Sequence, residues 1–116
     1  MAGQGMNEVA TELLRRSRDG KIAWKQTRRD NEYRVSFPDV SLTISSQPGL
    51  DIYRLDLINE TGSVTESLEW NPFYSPTPMP SADASQLQTL KEIYGLAEAY
   101  VQEEVAQRAL QYLKET

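Results

Sequence analysis

Residues 32–70 read EYRVSFPDVSLTISSQPGLDIYRLDLINETGSVTESLEW, and their hydrophobic period is two. Tyr33, Val35 and Phe37 alternate with Arg34 and Ser36, and Val40, Leu42 and Ile44 with Ser41, Thr43 and Ser45. Further on, Tyr53, Leu55 and Leu57 alternate with Arg54, Asp56 and Ile58, and Val64, Leu68 and Trp70 with Thr65, Ser67 and Glu69. Successive side chains of a strand point to opposite faces, so each run is a strand with one apolar side. Pro38-Asp39, Pro48-Gly49 and Asn59-Glu60-Thr61-Gly62 supply turn chemistry between the runs. Short connections favour antiparallel neighbours, which predicts a four-stranded meander. Its apolar face would include Leu42, Leu55 and Val64, and its other face is mostly Ser, Thr, Arg and Asp. A sheet apolar on one side needs a cover, and the helical segments before and after it must supply one. The expected architecture is a two-layer α+β domain, α-β-β-β-β-α, with both helices on one face.

On the N-terminal side, Val9, Ala10, Leu13 and Leu14 recur at helical spacing within residues 7–19, with Asn7 placed to cap the start and Gly20 to occupy C′. Residues 1–5 are expected to be a disordered leader to a single domain spanning residues 6–116. Residues 21–25, in which Ile22 and Trp24 alternate, read either as a short extra edge strand or as an extended bridge that lays Trp24 on the core.

On the C-terminal side, residues 71–84 hold four of the chain's six prolines and form a Pro-rich connector. A helical signal follows over residues 85–115: Leu87, Leu90, Tyr94, Ala97, Val101, Val105, Ala109 and Tyr112 form one stripe. Ile93 and Tyr100 widen that stripe on one side early, whereas Ala106, Leu110 and Leu113 widen it on the other side late. Two partners follow, one for each half. A continuous helix of this length would reach about 46 Å. A compact domain of this size has a radius of gyration of only roughly 13 Å. Either the helix breaks, near Gly95 or in residues 102–104, or its end projects and meets a second subunit.

The chain is 116 residues long with a formal charge of −5, and that charge is unevenly spread. Residues 1–34 carry eight bases against five acids, and the remainder carries four bases against twelve acids. Such polarity steers an anionic partner to one end or lets the two ends of one protein attract. With no Cys, disulfides, thiolate catalysis and zinc-thiolate sites are excluded, in keeping with a reducing cytoplasm. With no His, the usual proton-transfer group and the commonest transition-metal ligand are missing. The carboxylates Asp51, Asp56, Glu66 and Glu69 read as solvated faces and cross-strand ion pairs rather than as a catalytic set. No phosphate-binding Gly-rich loop and no calcium-loop spacing is present, so no enzymatic activity, cofactor or metal is assigned. Asn59-Glu60-Thr61 matches a glycosylation sequon and reads as turn chemistry.

Three surfaces remain as candidates for a non-enzymatic interaction module. Val105, Ala109, Leu110, Tyr112 and Leu113 are the expected contact of a homodimer. Phe73 and Tyr74 followed by Pro76 and Pro78 form an extended strip that a protein partner would grip. As the alternative function, Arg15, Arg16, Arg18, Lys25, Arg28 and Arg29 form an anion patch in which Trp24 would stack a base of a nucleic acid or the cations would hold another polyanion. Part of that cluster is already accounted for, because cations in the last turn of a helix complement its dipole.

The order of elements also resembles a group of small uncharacterised bacterial α+β proteins. The residues that carry the resemblance are a short helix, Gly20-Lys21-Ile22-x-Trp24, a meander with a Gly-containing hairpin, and Leu90-Lys91-Glu92-Ile93-Tyr94-x-Leu96-Ala97 on the late helix. It covers most of residues 8–113 and implies the same fold, with no activity to carry over. The chain departs from the pattern in its Pro-rich segment and at Glu98, where the group implies a basic residue.

Overall fold

The computed structural model describes residues 2–47, 49–71 and 81–116. Helix α1 (Ala2–Arg18) leads into strands β1 (Lys25–Gln26), β2 (Glu32–Ser36), β3 (Val40–Gln47), β4 (Ile52–Asn59) and β5 (Val64–Trp70), and helix α2 (Ser81–Glu115) closes the order. The strands form one antiparallel sheet in sequence order. The meander therefore has five strands rather than four. β1 is too short to show a period, and backbone pairing alone defines it: Lys25 lies opposite Arg34 and Gln26 opposite Tyr33.

Residues paired across strands share a face, so the register sorts the side chains. Tyr33, Ile44, Leu55 and Leu68 make one row under the helices, and Val35, Leu42 and Leu57 make the next. Arg34, Thr43, Asp56 and Ser67 make a row on the opposite, open face. Leu42, Ile44 and Leu55 are buried as their alternation predicts. Val64 is not: it is 51% exposed. A bulge between Leu57/Ile58 and β5 places Glu66 opposite Leu57 but Val64 opposite Ile58, so Val64 turns to the open face. An extra residue in one strand reverses the side-chain alternation beyond it, and a pattern read along β5 alone does not reveal it. Thr65 marks the place, its hydroxyl donating to the Leu57 carbonyl at 3.2 Å.

The core is one cluster in which Met6, Ala10 and Leu13 of α1 and Leu90, Ile93 and Ala97 of α2 meet the sheet rows. Ile22 and Trp24 join it from the segment before β1, and Trp24 is only 1% exposed. Its indole Nε1 donates to Ser17 Oγ at 3.3 Å, so the buried ring keeps a polar partner. α1 starts at Ala2 instead of Asn7, and the expected leader is helical from its second residue. Burial of Met6 explains the difference, since the turn that carries it must be folded to bring it to the core. Asn7 consequently lies inside the helix, where its carbonyl accepts the Thr11 hydroxyl at 2.9 Å. The other end follows expectation. Gly20 has φ 71°, Gly20 N–H donates to Ser17 O and Lys21 N–H to Arg16 O, which together make a Schellman stop.

α2 begins at Ser81, so the last part of the expected connector is helical, and it continues unbroken through Gly95 and residues 102–104. Thirty-five residues at 1.5 Å each make about 52 Å of helix. The longest axis of the molecule is 57 Å.

Two substitutions separate the buried row from the bulged end. Ile93→Ala removes a side chain with no exposed surface and is expected to lower unfolding free energy by about 2–5 kcal/mol in denaturant titration. Val64→Ala should change it by no more than about 0.5 kcal/mol, as expected for an exposed position. Comparable losses at the two sites would mean that Val64 is core.

Candidate interaction surfaces

The basic segment divides in two. In α1, Arg15 and Arg16 both reach Glu12, at 2.8 and 3.0 Å. Arg18 grips Glu92 of α2 with two hydrogen bonds, Nε to Oε2 and Nη2 to Oε1. Hydrogen bonding to Arg18 and its charge hold the Glu92 carboxyl below its ordinary pKa, and the same contact raises Arg18. Three of the six cations expected to bind an anion thus have acidic partners within the protein.

The other three come together. β1 runs into the hairpin loop at residues 27–31 and back along β2, which places Lys25, Arg28 and Arg29 around a groove of about 730 Å³ with Arg34. Ala23, Val35 and Ser36 also line it. Among the described residues, none of these four cations has a carboxylate within ion-pair distance. The groove also holds one acid, Glu32, which accepts the Thr27 hydroxyl at 2.8 Å. Thr27 also holds the loop, its Oγ1 accepting Arg29 N–H at 3.1 Å and its own N–H donating to Glu32 O. Arg34 is the member that the sequence reading left out, because alternation marked it only as an outward strand residue. Its pairing across the ladder from Lys25 brings it in.

Trp24 takes no part in the groove. It lies in the core, as the reading of residues 21–25 that lays it there expects, and this removes base stacking from the alternative function: an indole that completes the hydrophobic cluster has no free face for a ligand.

The second surface is the distal half of α2. Every residue from 102 to 116 is exposed, including Val105, Ala109, Leu110, Tyr112 and Leu113. Leu113 is 72% exposed and Tyr112 64%. At 100° per residue, the apolar residues of this half lie on one side of the helix, with Glu103, Glu104, Gln107, Arg108, Gln111 and Lys114 on the other. The side that meets the sheet, around Leu90, Ile93 and Ala97, is roughly two fifths of a turn away. The stripe drifts around the helix through Val101, which still packs on the core, so the distal apolar face turns away from the sheet.

The open sheet face is polar and internally paired. Arg54 Nε donates to Asp56 Oδ1 at 2.7 Å, Arg54 Nη2 to Ser67 Oγ at 3.3 Å, and Ser67 Oγ to Asp56. Glu69 lies 3.7 Å from Arg54, and Arg34 Nη2 donates to Ser41 Oγ at 3.0 Å. At one end of the sheet Tyr33 and Tyr53 pack on Tyr94, at 5.5 and 5.9 Å between ring centres, and Tyr94 donates to Asn31 Oδ1 at 3.1 Å. Burial is the main cause that pushes Tyr94 up to about 12. Its phenol stays neutral at physiological pH and serves as a packing group. In the last turn before β5, Asn59 Oδ1 accepts Thr61 N–H, Thr61 Oγ1 and Ser63 N–H, so the sequon residues close a loop on themselves. Phe73, Tyr74, Pro76 and Pro78 lie outside the described residues. Among the described residues no group of three or more acidic residues is placed to hold a metal, and no helix is long and apolar enough to cross a membrane.

No family model, curated protein or solved structure matches this chain.

The Arg18–Glu92 clamp carries a pH prediction. Glu92 has a lowered folded pKa, so its stabilisation is present above the unfolded value of about 4.3 and is lost as pH falls through the folded one. Glu92→Gln should melt at a lower temperature than the parent at pH 7. The two curves should converge in thermal melts as pH falls through the lowered pKa of Glu92, because both side chains are then neutral. A gap that persists there would assign the effect to packing.

Proposed function

We propose that this chain is a homodimeric interaction module of the cytoplasm whose subunits join through the distal half of α2. The observation that supports this reading is a helix that leaves its own domain and then presents a wide apolar face to solvent. A helix of about 12–15 residues is marginal in water when nothing packs against it, and its stability comes from burying such a face. The sequence of the face favours a second copy as the occupant. Laid antiparallel about a two-fold axis at Ala109, the apolar side meets itself with Val105 against Leu113 of the second copy and Ala106 against Tyr112. Apolar side chains face apolar ones, small Ala106 faces large Tyr112, and an alanine lies at the crossing.

The experiment is light scattering behind a sizing column at high micromolar concentration. The parent should have twice the 13.2 kDa mass of the chain, and Val105→Glu with Leu110→Glu should be monomeric without loss of the core's melting transition. A monomeric parent overturns the proposal. A dimer indifferent to the Val105 and Leu110 exchanges overturns the contact.

A further inference from the structure

The groove at the β1–β2 edge remains unexplained by a dimer built on α2. Lys25 and Arg34 face each other directly across the ladder. Like charges in that position destabilise a sheet, and among the described residues no carboxylate lies within ion-pair distance of either, although Glu32 lines the same groove. Arg28 and Arg29 add two more positive charges at the hairpin that closes the groove, although the rest of the molecule is rich in acids. In α1 the same residue types were each given an acid within reach. An array that lacks acidic partners in a protein of net charge −5 is one that an external anion would complete.

We propose that the Lys25, Thr27, Arg28, Arg29 and Arg34 groove binds consecutive phosphates of a single-stranded nucleic acid through its backbone, without reading the bases. The chemistry selects this class in three ways. Several guanidinium groups beside one ammonium suit a run of phosphates rather than one carboxylate, because a planar guanidinium takes phosphate oxygens two at a time. A volume of about 730 Å³ is within the range of ligand-binding clefts, and a strand can lie along an open groove of that size. The polar face beside the groove bears Asp56 and Glu69 around the single base Arg54, a negative balance that disfavours a rigid duplex laid across the sheet, whereas a flexible strand can follow the basic hairpin alone. With Trp24 buried there is no indole platform for a base, so affinity depends on phosphate and salt.

The test is fluorescence anisotropy with labelled oligouridine and oligothymidine of about a dozen nucleotides at about 20 mM salt, where the electrostatic term is strongest. Binding in the tens of micromolar, equal for the two sequences, is expected. Its logarithm should fall against log salt with a slope of roughly −2 to −3, as for three or four phosphates at about −0.7 each. Lys25→Glu with Arg29→Glu should weaken binding at least tenfold, and Arg15→Glu with Arg16→Glu by less than about threefold, since the latter pair lies outside the groove. Circular dichroism and the melting transition of each variant verify the fold, and both pairs are exposed. No binding up to roughly 200 µM overturns the proposal. So does an equal loss from the two double variants, a duplex that binds more tightly than either single strand, or capture of inorganic polyphosphate by a protein that takes neither oligonucleotide.

Discussion

The apolar side of a five-stranded meander cannot be left in water, and the proximal half of α2 is the main lid that removes it. Leu90, Ile93 and Ala97 have no exposed surface, and they share one cluster with Ile44 and Leu55 of the central strands. The lid sets the geometry of the whole molecule. Strands of at most eight residues make a sheet about 27 Å long, and five of them at about 4.8 Å spacing make one about 20 Å wide. A helix of about 52 Å overshoots that platform in either direction. The exposed distal segment is the necessary remainder of an unbroken helix on a small sheet, and its apolar face is the surface on which the proposed association rests.

Charge is distributed by the same logic. Where α1 and α2 run together, arginines meet acids, and the Arg18–Glu92 clamp joins the C-terminal end of one helix to the middle of the other. On the open face Arg54 is surrounded by Asp56, Ser67 and Glu69. The hairpin between β1 and β2 is different: Lys25, Arg28, Arg29 and Arg34 line one groove, and among the described residues none of them has an ion-pair partner. The two proposed contacts lie on different elements, one apolar on α2 and one cationic at the edge of the sheet, so occupation of one leaves the other accessible.

Much of this was legible in the amino-acid order because it is local. Alternation in β2, β3 and β4 assigned the buried rows, helical spacing marked Leu13, Leu90 and Ala97, Gly20 marked the end of α1, and the late shift of apolar residues around α2 separated its two halves. These patterns repeat within a few residues, and burial of one side of an element is imprinted at that spacing. β1 was not legible, being two residues long and held by its neighbour's backbone. The bulge in β5 was not legible either, because a register is a relation between two strands and Val64 carries no mark of which way it turns.

The cationic site illustrates the division most fully. A run of seven bases over residues 13–29 is visible to any reader of the chain, and so is the apolar pattern that buries Trp24 in its middle. Which of those bases lack acidic partners depends on contacts between residues far apart: Glu92 reaches Arg18 across 74 positions, and Arg34 enters the groove through a strand pairing. Local periodicity follows from the geometry of a single helix or strand, so it is written in the order of residues. Neutralisation and register arise when elements pack, and three-dimensional contact alone supplies them.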